Sequence, residues 1–291
     1  MIGNIIVGCL SAPAAAKATG GTIVISGGFV YHTFTGNGTF APLQSLTADV
    51  LVIGGGGGSN ADWNSGGGAG GIFYATSQTI STNQTVTIGA GGAKSTGNVT
   101  GVNGSNSSFG SLTVGLGGGG GGGASNGASG GSGGGGSARN TTPAYTGGAS
   151  TQSGTGGTGY GFAGGTGETL AWGGGGGGGS GAVGANAFRS GSDVKGGAGG
   201  NGTTAFSSWG LATSTGENVS GTVYYAGGGG GAGSTAPVPA GGYGGGGSGS
   251  TSTSSSATSG TANTGGGGGS SWTNAGPGAG GSGIVIVRYA A

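Results

Sequence analysis

The chain has 291 residues, of which 92 are glycine, 32% are hydrophobic and only 4% carry charge, for a formal net charge of +1. Six scattered basic residues give no electrostatic footprint for nucleic acid and no basic face for an anionic membrane. One cysteine and one histidine exclude an internal disulfide framework and a Cys/His zinc site.

In chain order, the first segment is Met1-Ile2-Gly3-Asn4-Ile5-Ile6-Val7-Gly8-Cys9-Leu10. No positive residue precedes its apolar core, which is too short for a signal sequence. Residues 1–20 therefore read as an extended N-terminal anchor arm, with Ile2, Ile5, Ile6, Val7 and Leu10 available to contact another subunit. Thr22–Ser26 and Phe29–Thr35 flank Gly27-Gly28, the composition of a two-residue hairpin turn. His32, inside the second of these strands, is expected to face solvent. Gly36-Asn37-Gly38 turns the chain into Thr39-Phe40-Ala41. Asp49-Val50-Leu51-Val52-Ile53 is an unbroken apolar run and predicts a strand buried on both faces. Gly71–Ala75 and Gln84–Ile88 alternate as half-buried strands, Ser108-Phe109 leads into a strand at Ser111–Val114, and Gly283–Tyr289 is the strongest strand of all. Outside Ala14–Ala18 no segment is read as helix.

The resulting expectation is an all-β fold with essentially no α-helix. A strand framework spans 21–116, a glycine-rich region spans 117–282, and a closing strand spans 283–291. The main glycine runs are 54–58, 117–123, 173–179, 227–231, 244–247 and 265–269. Collagen is excluded, because glycine does not recur at every third position and there are only six prolines. A flexible linker would carry fewer dense apolar runs. An ordered alternative is a bundle of polyglycine-II helices, with three residues per turn and a rise of about 3.1 Å per residue. Glycine at nearly every position lets such rods approach until their backbones exchange hydrogen bonds. Strands at both ends of the region would lower the entropic cost of ordering it.

Motifs for chemistry are wanting. Asp49–Ile53 followed by Gly54–Gly58 imitates a dinucleotide-binding loop, but Ser59-Asn60-Ala61-Asp62-Trp63-Asn64-Ser65 cannot supply the helix that would hold a pyrophosphate. Gly89-Ala90-Gly91-Gly92-Ala93-Lys94-Ser95 approaches a phosphate-binding loop but has Ala93 where glycine is required. Gly127-Ala128-Ser129-Gly130-Gly131 fits a nucleophile elbow only as any Gly/Ser tract does. Five acidic residues show no close pair for acid/base work. No catalytic residue, metal site or cofactor is expected. The large rings between glycine runs remain, and Tyr145, Tyr160, Trp172, Phe206, Trp209, Tyr243 and Trp272 are candidate receptor-contact residues on loops. Their competing role is to cap the rods or cover the flanks of the bundle.

Phe34-Thr35-Gly36-Asn37-Gly38-Thr39-Phe40, then Ala48–Gly54, resembles the opening of a glycine-rich domain common in bacteriophage structural proteins. Gln84–Gly92, Asn103–Gly110 and Leu116 with its glycines are similar to the middle of that family, and Gly280–Tyr289 to its end. The resemblance covers about residues 20–290. It implies a β framework with a polyglycine-II bundle, a fold also found in the glycine-rich module of anaplastic lymphoma kinase-type receptors. It also implies a virion protein, most simply a tail fibre or fibre tip contacting host glycan or protein, with a capsid decoration or head fibre as the alternative. Partners would be other virion proteins through the arm, and further copies of the chain, with a trimer favoured by the family. Neither nucleic acid nor membrane insertion is expected. From other classes, an ice-binding protein would need a regular Thr/Ala repeat that the irregular runs lack, and a bacterial surface protein would need a stronger export signal.

Overall fold

The computed structural model describes residues 16–62, 65–97, 99–138, 143–169, 172–252, 256–273 and 276–291. The arm residues Ile2, Ile5, Ile6, Val7 and Leu10 lie outside them. The elements in the first part of the chain are β1 (Ala18–Thr19), β2 (Thr22–Ser26), β3 (Phe29–Phe34), β4 (Gly38–Pro42), β5 (Leu46–Ile53), β6 (Ile72–Ile80), β7 (Gln84–Thr87) and β8 (Ser108–Phe109). There follow β9 (Thr158–Tyr160), β10 (Phe188–Ser190), β11 (Asp193–Lys195), α1 (Ser207–Thr213), β12 (Glu217–Val219), β13 (Thr222–Tyr224) and β14 (Ile284–Ala290).

The main sheet has the order β2-β3-β14-β5-β6-β9 and is antiparallel throughout. The last strand is thus inserted between β3 and β5, pairing Val285 with Phe34 on one side and with Val52 on the other. Alternation along each strand divides the apolar residues between two cores. Val30, Val50, Val52, Val285 and Val287 face the second sheet, of order β1-β4-β7-β8, and meet its Phe40, Val86 and Phe109. Tyr31, Leu51, Ile53, Ile284 and Ile286 face the other way, onto Phe206, Trp209, Val223 and Tyr225. With both faces covered, β5 and β14 need apolar residues at consecutive positions, as their unbroken runs predict.

Three readings are corrected. His32 is fully buried, because β3 is an interior strand and this residue shares the face of Val30 and Phe34. Residues 111–114 form a turn and loop after β8, not a strand. Helix occurs at Ser207–Thr213, whereas Ala18, at the end of the alanine-rich stretch, is in a strand. A seven-residue helix without a side-chain cap is not stable alone, so α1 rests on burial of Trp209 and Phe206. It ends at Ser214, which takes the left-handed conformation (φ 54°) and bonds back to Gly210 O.

The glycine segments are held by backbone hydrogen bonds whose partner changes with a period of three. Along 54–59, the N–H groups of Gly54 and Gly57 donate to Gly71 and Gly68, those of Gly55 and Gly58 to Ser105 and Val102, and those of Gly56 and Ser59 to Gly281 and Gly278. Along 173–179 the same rotation runs through Ala232 and Gly229, Gly136 and Gly133, and Ala185 and Ala182. In 117–123 side chains take one of the three directions: Gly117, Gly120 and Gly123 donate to Asn106 Oδ1, Asn103 Oδ1 and Thr100 Oγ1 at 2.9, 2.9 and 3.3 Å. Close approach makes glycine obligatory here. A Cβ on Gly57, for instance, would collide with the carbonyl oxygen of Gly119.

Candidate binding surface

Tyr160, Phe206 and Trp209 come together, with Phe206 and Trp209 buried and Tyr160 half-buried against them. Phe206 and Trp209 are each only 3% exposed, their ring centroids are 6.0 Å apart, and Tyr160 meets Phe206 edge-on at 5.7 Å. Phe206 and Trp209 are therefore removed from the candidate contact surface. With Val223 and Tyr225 they cover the face of the main sheet turned away from the β1-β4-β7-β8 sheet. Arg288 fastens Trp209 there. Its guanidinium carbon lies 4.5 Å from the centroids of both Trp209 and Phe29, and its Nη2 donates to Asp49 Oδ2 at 2.6 Å. Burial raises the Tyr74 phenol pKa beside this pair, with the Asp49 charge adding to the effect. Burial also pushes Tyr225 up to about 12, where its hydroxyl meets Thr215 Oγ1 at 2.6 Å.

His32 is similarly committed to structure. Gly20 O can only accept, at 2.7 Å, so Nδ1 carries the hydrogen. In the neutral ring Nε2 then accepts from the Tyr289 hydroxyl at 2.9 Å, and that oxygen also accepts from Lys17 N–H at 3.0 Å. Burial lowers the His32 pKa below 6.5, while the bond to Gly20 opposes that shift. Both ring nitrogens are thereby occupied. Among the described residues no three His, Cys, Asp or Glu side chains group as metal ligands, and no helix is long and apolar enough to cross a membrane.

The other candidates lie in loops joining glycine segments, and the structure does not gather them into one site. Trp172 and Tyr243 are 47% and 46% exposed, the latter with its ring 5.3 Å from Tyr224. Tyr145 and Trp272 are half-buried. The Tyr145 carbonyl accepts from Gly167 N–H at 3.0 Å, and the Trp272 backbone N–H donates to Ser250 Oγ at 2.8 Å.

Trp172 is followed by Gly173, where an added Cβ would collide with the Val194 side chain of β11. The β10–β11 hairpin and the Pro237-Val238-Pro239 loop enclose a surface cavity of about 520 Å³, lined mainly by Phe188, Lys195, Ala198 and those three loop residues. Backbone bonds brace the walls, from Ser234 N–H to Val194 O and from Gly199 N–H to Ala240 O, both 2.9 Å. Lys195 Nζ stands 5.8 Å from the Phe188 ring centroid. Such walls can take the apolar face of a ring, with one cation at the rim. Sequence reasoning misses this wall. The Pro-Val-Pro run, an apolar and rigid insertion in a glycine/serine tract, is the signal that could have found it.

A comparison with curated proteins gives no match. The family model described as a glycine-rich domain matches residues 33–290, from β3 through every glycine segment to β14. With nearly the whole fold inside that match, the chain belongs to the glycine-rich domain family.

Proposed function

We propose that this chain is a non-catalytic structural protein of a bacteriophage particle, a tail-fibre or fibre-tip component that presents loops to the host surface. The observation that carries the proposal is the three-residue rotation of hydrogen bonds through the glycine segments. That rotation fits a polyglycine-II bundle, in which successive N–H groups point roughly 120° apart about a three-residue turn. A bundle of this kind is a rigid support that spends no side chains on its own interior. Its connecting segments are free to vary, and they carry the exposed Trp172 and Tyr243 on loops and Phe188 on the β10–β11 hairpin. The ordered motif string from Phe34 to Tyr289 directs the reading towards virion proteins. On this reading the apolar arm residues Ile2, Ile5, Ile6, Val7 and Leu10 contact other virion subunits. The protein forms a homo-oligomer, for which the family resemblance implies a trimer and multivalency supplies the advantage.

Antibody labelling of purified particles in the electron microscope should place the protein on the fibre or its tip, and the isolated protein should compete with particles for host adsorption. Label on the capsid surface would instead favour a decoration protein. Absence of the protein from particles would refute the proposal. Deleting residues 2–13 should leave a folded protein that is no longer incorporated.

A further inference from the structure

β2 is the outermost strand of the main sheet and, among the described residues, pairs with β3 alone. Its sequence, Thr22-Ile23-Val24-Ile25-Ser26, is β-branched at every position but the last, and it contains no charge and no proline. The register with β3 runs without a bulge. Charge, proline and bulges are among the devices by which edge strands avoid pairing with another chain, and β2 has none of these three. Ile23 and Ile25 are 40% and 50% exposed, on the face shared by their partners His32 and Val30.

The hairpin turn decides which backbone groups are free. Gly27 and Gly28 both have positive φ, 59° and 79°, and Ser26 faces Phe29 across them. In a two-residue hairpin of this kind the flanking pair exchanges both of its hydrogen bonds. Alternation then turns the N–H and C=O groups of Thr22, Val24 and Ser26 towards β3, and those of Ile23 and Ile25 outwards.

We propose that β2 is a self-association edge whose occupant is β2 of a second copy of this chain, antiparallel about a two-fold axis through Val24. The strand is self-complementary in that arrangement. Thr22 opposes Ser26 of the second copy, Ile23 opposes Ile25, and Val24 opposes its own counterpart. The outward groups of Ile23 and Ile25 then form hydrogen-bonded pairs, and Val24 forms a non-hydrogen-bonded pair at the axis, which is the alternation an antiparallel ladder requires. The exposed isoleucines of both copies meet on one face. On the other, Leu211 of α1, 50% exposed, lines a shallow surface cavity together with Ser26 and Phe29 and adds apolar surface beside the seam. No charged side chain of β2 opposes another across it. Isologous two-fold contacts of this kind are the commonest in homo-oligomers. A five-residue seam is smaller than the standard interface of about 1,600 Å², so the association is reversible and dependent on concentration. A two-fold contact does not close a ring of three, and a trimer would use another surface.

The test is Val24→Cys in the full chain carrying Cys9→Ser, oxidised mildly at micromolar protein. The expected product is a covalent dimer joined through the two introduced thiols. It should form at least about tenfold faster than the dimer of an exposed control, Val99→Cys, because pairing raises the local thiol concentration. In sedimentation experiments, Ile25→Lys should raise the dimer dissociation constant roughly tenfold or more while leaving the melting temperature unchanged. A protein that stays monomeric at all concentrations and cross-links no faster than the control would overturn the proposal. So would a disulfide between the introduced thiol and Cys9 when Val24→Cys is made in protein that retains Cys9, which would assign the edge to the N-terminal segment instead.

Discussion

Replacing Gly176 by alanine adds one methyl group to a segment that has no room for it. An ideal Cβ at this position falls on the carbonyl of Ala198, which accepts the N–H of Ala185 at 2.9 Å. Gly176 N–H itself donates to Ala185 O at 3.0 Å, and Gly176 O accepts from Gly165 N–H at 2.8 Å. Moving either segment to relieve the overlap therefore disturbs a connected set of bonds. Overpacking costs about 1–3 kcal/mol, and each buried amide or carbonyl left unpaired costs about 1–3 kcal/mol more. With one such bond lost, the destabilisation is about 2–6 kcal/mol, a large part of the roughly 5–15 kcal/mol that stabilises a folded domain. For a chain of this size each kcal/mol lowers the melting temperature by roughly 2–4 °C. Gly176→Ala should therefore melt roughly 4–24 °C below the parent, and Gly120→Ala, whose Cβ meets Gly101 O, should behave alike. Gly36→Ala is the control, since no atom lies within 4 Å of its Cβ position and its φ is not positive. Its melting temperature should stay within about 2 °C of the parent. Thermal unfolding by circular dichroism, with limited proteolysis, reads all three. Unchanged stability in both Gly120→Ala and Gly176→Ala would refute the claim that the glycine segments are close-packed framework.

The loop and core aromatics should separate cleanly. Trp172→Ala and Tyr243→Ala are expected to reduce host adsorption with little change in melting temperature, whereas Phe206→Ala and Trp209→Ala should each cost about 3–5 kcal/mol of stability in chemical denaturation. Arg288→Met removes two ring contacts and leaves Asp49 half-buried without its cation, so it should destabilise by about 2 kcal/mol in the same assay. Acidification should act through His32. Its folded pKa lies below 6.5, so the unfolded chain binds a proton that the folded chain does not, and stability is lost as pH falls below about 6.5. Melting curves across that range should show the slope in the parent and a weaker one in His32→Gln.

The parts of the fold legible in the sequence are those where local chemistry and tertiary context agree. Gly27-Gly28 specifies its turn through backbone conformation alone, and the runs at Asp49–Ile53 and Ile284–Val287 are too dense for anything but interior strands. His32 misleads because polarity is a guide to exposure only when some face of the strand is free, and β3 has neither face free. Trp209 and Phe206 mislead for a related reason. Aromatics set among glycine and serine look like displayed loops, but the face of the main sheet bearing Leu51, Ile53, Ile284 and Ile286 needs cover that glycine segments cannot give. The chain recruits a short helix and the β12–β13 hairpin from the glycine-rich half to supply it. No periodicity announces α1, since only the contacts of its buried rings hold it together.

The junctions between strand and glycine explain how the two kinds of packing are joined. β5 runs directly into Gly54, β6 emerges directly from Gly71, and β14 emerges directly from Gly283. The Ile53–Ile72 rung of the sheet is followed at once by the Gly54 N–H to Gly71 O bond, so the ladder passes without a break into the glycine segments. Sheet register is fixed by which side chains reach each core, and a slip of one residue would turn Val50, Val52 and Ile53 to the wrong faces. Glycine segments have no side chains to fix a register of their own, and ordering each residue costs roughly 1–2 kcal/mol of backbone entropy. Anchoring segments 54–59, 66–71 and 278–283 to three strands of one sheet removes both difficulties together. The apolar strands hold these segments in alignment, and the later segments, such as 173–179 and 227–231, can then add to a lattice whose positions are already set.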